Sequence, residues 1–143
     1  MDTPPAFRYT VHTGFIFEHP MITREFADHF AQEWIDAWNS HDLERILSHY
    51  TDSFEMSSPY IAQIVGEPSG VLKGNAAVAA YWRKALERIP TLHFELHSTL
   101  VGAESLVIYY RGARGMAAEM FFFDSQGKVA KSCAHYARDE EDK

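Results

Sequence analysis

The chain has a single cysteine, Cys133, among its 143 residues, so no internal disulfide can form. That suits a reducing compartment and gives the expectation of a cytoplasmic protein. No apolar run approaches the ~20 residues of a membrane-crossing helix. Residues 1–20 lack the cationic start and apolar centre of a secretion signal. Basic residues are also scarce: 13 Lys and Arg stand against 20 Asp and Glu, a net charge of −7, and no basic cluster reverses this. Non-specific attraction to nucleic acid or to an anionic membrane is therefore opposed, and neither is expected as a partner. A nucleotide-binding glycine loop, a zincin-type His pair and a Ser/His/Asp nucleophile elbow are all missing. Neither a cofactor nor a metal is expected.

What is abundant is aromatic surface, at 14% of residues within a hydrophobic share of 46%. Aromatic rings fill cores and also line ligand pockets. The length fits one domain with a sizeable core. The expected organisation is an arm or extra strand over 1–21, a domain over 22–138 and an acidic tail over 139–143.

Thr23 is placed to cap a helix with Glu25 in its first turn. Phe26, Phe30, Trp34 and Trp38 then recur every fourth residue, with Ala27, Ala31 and Ile35 widening the stripe. This spacing predicts an amphipathic helix ending near Asn39. Ser40 is expected to cap a second helix whose apolar face carries Leu43, Ile46, Leu47 and Tyr50. A strand over 53–57 stops at Pro59, and a loop over 66–70 leads to a short strand over 71–73. Asn75 is expected to cap a third helix that contains Val78, Tyr81 and Trp82 and ends before Pro90. Beyond Pro90 the period becomes two, with Leu92, Phe94 and Leu96 alternating with His93, Glu95 and His97. Strands over 105–111, 116–123 and 129–137 follow, joined at Gly112-Ala113-Arg114-Gly115 and Asp124-Ser125-Gln126-Gly127. Helices first and an antiparallel meander afterwards read as an α+β domain, with helices packed on one face of a curved sheet.

Several phrases in this order carry a family resemblance. They are Trp34-Ile35-Asp36-Ala37-Trp38-Asn39-Ser40-His41-Asp42-Leu43, Tyr50-Thr51-Asp52-Ser53-Phe54, Leu72-Lys73-Gly74-Asn75 with Tyr81-Trp82, and Phe123-Asp124-Ser125-Gln126-Gly127-Lys128-Val129. Spanning residues 23–137, they resemble the SnoaL-like, or nuclear-transport-factor-2-like, superfamily. That group includes ketosteroid isomerases, polyketide cyclases, dehydratases and non-catalytic binding modules. The resemblance implies a cone-shaped pocket between the helices and a mostly antiparallel sheet, a hydrophobic small-molecule ligand, and a homodimer formed through the sheet.

The isomerase pattern also implies site residues, and this chain departs from it at definite places. Trp34 stands where the family has a Tyr that donates to the oxyanion. Ser58, before Pro59, stands where the base is an Asp, and an unassisted serine hydroxyl is no general base near neutral pH. The second acid falls on Glu119, Tyr50 is kept, Trp82 replaces a Tyr of the supporting network, and Tyr136 is kept. The isomerase mechanism is therefore not expected. Glu119, Ser58 and Tyr50 are the candidate catalytic groups, with Trp34, Met56, Tyr81, Trp82, Phe121 and Tyr136 as pocket residues.

Read from the residues alone, Glu119 shares a strand face with Ala117, Phe121 and Phe123. Burial there raises its pKa unless it is paired. It reads either as an acid–base group or as a structural acid held by Arg83, Arg111 or a Tyr hydroxyl. Trp38 reads as core. His93 and His97, four apart on a strand and so ~13 Å apart, are too distant for one zinc ion without a third element. With Glu95 they read as a polar face or interface, as does His135. Cys133 reads as a small buried hydrophobe.

Overall fold

The computed structural model describes residues 22–137. The expected arm over 1–21 and the tail over 139–143 lie outside the described residues. Helix α1 spans Arg24–Ser40, α2 Leu43–Leu47, α3 Ile61–Val65 and α4 Asn75–Arg88. The strands are β1 Tyr50–Ser57, β2 Val71–Lys73, β3 Glu95–Val101, β4 Ser105–Gly112, β5 Gly115–Phe123 and β6 Val129–Tyr136. They form one curved, open sheet in the order β2-β1-β6-β5-β4-β3, antiparallel except where β1 runs parallel to β6. The α+β expectation holds.

Helix α1 begins as its sequence dictates. The Thr23 hydroxyl accepts from the Phe26 amide at 3.0 Å. The helix ends where His41 turns into the left-handed region at φ 61°, its amide donating to the Trp38 carbonyl. Its apolar stripe buries Phe30, Ala31, Trp34, Ile35 and Trp38. Phe121 of β5 meets it edge-on, 5.0 Å from Phe30 and 5.3 Å from Trp34. At the C-terminal end of α1, Asn39 makes two hydrogen bonds to the Phe94 backbone, at 2.9 and 2.7 Å. His41 Nε2 lies 2.8 Å from the Leu92 carbonyl. These contacts fasten the segment leading into β3 onto the first helix.

Four details differ from the sequence reading. Asp42, not Ser40, caps α2, because its carboxylate reaches the Arg45 amide while the Ser40 hydroxyl donates back to the Ala37 carbonyl at 2.6 Å. Tyr50 leaves the α2 face and starts β1. Helix α3 was not expected; its five residues are too few to show a period. Gly74, at φ 90°, holds the capping position of α4 in place of Asn75, a backbone conformation that favours glycine.

Candidate functional site

A cavity of about 470 Å³ opens between α1, α3, α4 and the inner face of β4 and β5. Its lining divides by exposure. Trp34, Trp38, Met56, Tyr81, Trp82, Leu92, Phe94, Tyr110 and Glu119 are buried, whereas Gln63, Arg88, Ala113 and Arg114 are exposed and form the rim. All three tryptophans of the chain line it. The volume suits a small molecule.

The sheet register explains what surrounds the acid. Tyr110, Ala117 and Tyr136 lie side by side across β4, β5 and β6, and the next inward-facing row is Ile108, Glu119 and Ala134. Diagonal neighbours across a sheet are within reach of long side chains. Tyr110 and Tyr136 therefore flank Glu119 from both sides, and the small Ala117 between them leaves space above it. At the turn of the β4–β5 hairpin, Gly112 and Gly115 pair and both line the cavity. Gly115 has φ 116°, and a Cβ there would meet no atom within 4 Å.

Glu119 is 4% exposed. Burial pushes its pKa up from 4.5 to about 8, and a hydrogen-bonding interaction with the Tyr110 side chain pulls the other way. The carboxyl is thus mainly protonated at neutral pH and is itself a donor. Four phenols feel its charge. Tyr50, Tyr110 and Tyr136 are all raised, each by burial first and by the Glu119 carboxylate next. Tyr81 is pushed up to about 12, by burial opposed by its bond to Ser58, with Glu119 adding to the rise. All four stay neutral near pH 7. Among the described residues, no Arg, Lys or His contributes to the Glu119 shift, and Arg83 and Arg111 are exposed. Of the restraints considered for a structural acid, neither arginine acts on Glu119, and the Tyr110 side chain only pulls its pKa back against burial.

The sequence-derived site residues fall into two layers. Glu119, Trp34, Met56, Tyr81, Trp82 and Tyr136 line the cavity. Tyr50 and Ser58 do not: they stand behind the wall and hold residues that do. The Trp34 indole N–H donates to the Tyr50 hydroxyl at 2.9 Å. Ser58 Oγ accepts from the Tyr81 hydroxyl at 3.2 Å and from the Tyr60 amide at 3.1 Å. Phe121 also misses the cavity, because one row further along β5 it lies under α1 and is wholly buried against Phe30 and Trp34. Trp38, read as core, is buried yet lines the cavity. Sequence reasoning missed Phe94, Tyr110, Arg88 and Arg114. Tyr110 was within reach, since Leu106, Ile108 and Tyr110 alternate on β4 and share the face of Glu119.

Elsewhere, His93, Glu95, His97 and His135 are exposed, and Cys133 is half-buried rather than buried. Among the described residues, no three His, Cys, Asp or Glu side chains converge as metal ligands, and no helix is long and apolar enough to cross a membrane.

Comparisons with known proteins add to this geometry. A SnoaL-like protein of unknown function from Burkholderia thailandensis has a crystal structure that is similar at 59% identity, covering 82% of this chain and 99% of that one, with a TM-score of 0.80. A protein of unknown function with a cystatin-like fold from Methylobium petroleophilum is similar at 19% identity, covering 85% and 82% of the two chains, with a TM-score of 0.65. The epoxide hydrolase/cyclase-like enzyme SalBIII, which acts in pyran ring formation in the polyether salinomycin, is similar at 16% identity, covering 79% and 92%, with a TM-score of 0.61. These last two likenesses are of fold. A comparison with functionally curated proteins found no match. The family model for the SnoaL-like domain matches residues 31–142, so the chain belongs to the SnoaL-like family.

Proposed function

We propose that the protein binds a hydrophobic, carbonyl-containing small molecule in this cavity and that chemistry there is proton transfer through Glu119. The observation that carries the reading is one carboxyl, raised to about 8, in the wall of an aromatic cavity. A neutral carboxylic acid in an apolar site donates strongly to a ligand oxygen, and donors aimed at developing charge are worth more there than in water. Glu119 is the acid and the ligand carbonyl oxygen is its acceptor, while a water molecule takes the α-proton, so that an enol forms and solvent returns a proton to the carbon. Trp34, Tyr81 and Tyr136 shape and orient the ligand. Tyr50 and Ser58 are positioning residues, since each acts through a cavity residue it hydrogen-bonds. Activation of a ketone in this way is a step common to isomerisation, cyclisation and dehydration.

The test uses 2-tetralone as an enolisable aromatic ketone, with deuterium exchange at its α-carbon followed by NMR. The native protein is expected to speed exchange, and Glu119→Gln to lower that rate by about 10²–10⁴-fold with the circular dichroism spectrum unchanged. With Glu119 as donor, the rate falls as pH rises through about 8; with Glu119 as base it would rise. Full exchange activity in Glu119→Gln would remove Glu119 from the chemistry.

One observation favours a purely binding version. Ser58, in the position of the family's base, is turned into contacts with Tyr81 and Tyr60 and does not itself line the cavity. Tryptophan quenching by 2-tetralone without exchange would select it. We also place a homodimer contact on the outer face of the sheet, where Leu100, Tyr109 and Phe122 are exposed. A monomeric mass by light scattering at micromolar concentration would count against that contact.

A further inference from the structure

The rim of the cavity has a charge of its own. Of the residues that line the cavity, only Arg88, Arg114 and Glu119 carry ionisable acid or guanidinium groups. Glu119 lies inside, and both arginines lie at the opening. They come from different elements, Arg88 from the last turn of α4 and Arg114 from the two-residue turn between β4 and β5. Among the described residues, neither is in an ion pair with a carboxylate, and Arg114 is instead held over the Tyr60 ring, 5.1 Å from its centroid. A protein of net charge −7 thus presents, at the mouth of its cavity, two guanidinium groups that are in no ion pair among the described residues. Clefts edged by one sign of charge concentrate ligands of the other sign. Guanidinium groups also match carboxylates geometrically.

We propose that the ligand is an amphipathic acid, with an apolar body in the aromatic cavity, a carbonyl oxygen at Glu119 and a carboxylate at the rim between Arg88 and Arg114. This rests on the binding role proposed for the cavity and specifies the class of molecule it takes. Glu119 lies five positions beyond Arg114 along the chain, on the order of 16 Å of extended strand. The carbonyl and the carboxylate therefore belong at opposite ends of the ligand, not on adjacent carbons. The Tyr60 ring fixes the Arg114 side chain, so less of its freedom is lost when the anion arrives.

The test compares 6-oxo-6-phenylhexanoate with its methyl ester, read by quenching of the three cavity tryptophans. The acid is expected to bind about tenfold more tightly than the ester at low salt, a modest factor because both arginines are exposed. The margin should shrink as salt screens the contact. Arg88→Gln combined with Arg114→Gln is expected to bring the acid-to-ester ratio to about one, and each single variant to lie between. Equal affinities of acid and ester for the native protein would overturn the rim assignment while leaving the cavity as a ketone site. A ratio preserved in the double variant would also overturn it. Failure of both compounds to quench would overturn the cavity reading itself, and the rim assignment with it.

Discussion

Glu33 on α1, with its side chain 31% exposed, and Glu119 on β5, which is buried, are both partnered acids, yet their surroundings drive them in opposite directions. Glu33 accepts from Arg45 Nε at 3.0 Å and Nη2 at 2.9 Å, and His49 Nε2 lies 3.3 Å from its second oxygen. The Arg45 hydrogen bonds hold its pKa below the ordinary carboxylate value against the effect of burial. Glu119 has no such cation, only phenols, and burial wins. The first arrangement keeps a charge and uses it to join α1 to α2. The second keeps a proton in a cavity. A carboxylate needed only for structure is best served by the first arrangement; the second carries a cost, which is why it points to function.

The sharpest way to break this comparison is to remove the titration of Glu119. With a folded pKa of about 8 and an unfolded value of 4.5, the native state holds a proton that the unfolded chain has released between those values. Stability therefore falls as pH rises from 4.5 to 8, and the whole cost is present above 8. The shift from 4.5 to about 8 corresponds to about 5 kcal/mol. Glu119→Gln has no such slope. Its stability relative to the native protein should improve by up to about that amount between pH 5 and pH 9, measured by urea unfolding at pH 5, 7 and 9. A difference independent of pH would show that Glu119 titrates normally.

A smaller effect is expected from Tyr110→Phe. The Tyr110 side chain is the one group that opposes the burial shift of Glu119. Without its hydroxyl, the pKa of Glu119 should climb above 8 by about one unit, or ~1.4 kcal/mol. The carboxyl stretch in the infrared should then persist to higher pH. No movement of that titration would mean that the phenol contributes packing alone.

Much of this contrast was hidden in the sequence. The four-residue spacing of Phe26, Phe30, Trp34 and Trp38 made α1 plain, and the Thr23 cap agreed with it. The alternation on β5 placed Glu119 on the inner face, and that face is where it lies. Alternation assigns a face but not a depth, however. Phe121 shares the face of Glu119 yet lies beneath α1, while Glu119 borders the cavity. Depth is set by where the helix crosses the sheet, which no local pattern records. Arg88 and Arg114 are distant in sequence and share only the rim of the cavity, so neither stood out from other surface cations. Tyr50 was misplaced because Leu43, Ile46, Leu47 and Tyr50 keep helical spacing across the point where α2 ends.

The mildest perturbation tests the other side of the comparison. Glu33→Gln should cost under about 1 kcal/mol at pH 7, because Arg45 is 38% exposed and solvent screens the pair. Its pH dependence should run opposite to that of Glu119. A depressed carboxylate contributes stability above its unfolded pKa and loses it as pH falls through the folded value. The native advantage over the variant should thus be present at pH 7 and vanish once the pH falls below the depressed pKa of Glu33. High salt should reduce it as well. His49 supplies an independent readout. Burial already lowers its pKa, and Glu33 is the group that opposes this. Removing the carboxylate should let the His49 titration fall further, as followed by imidazole proton shifts in NMR. If His49 does not move and the two acids give pH slopes of the same sign, the division into a charge-keeping and a proton-keeping carboxylate fails.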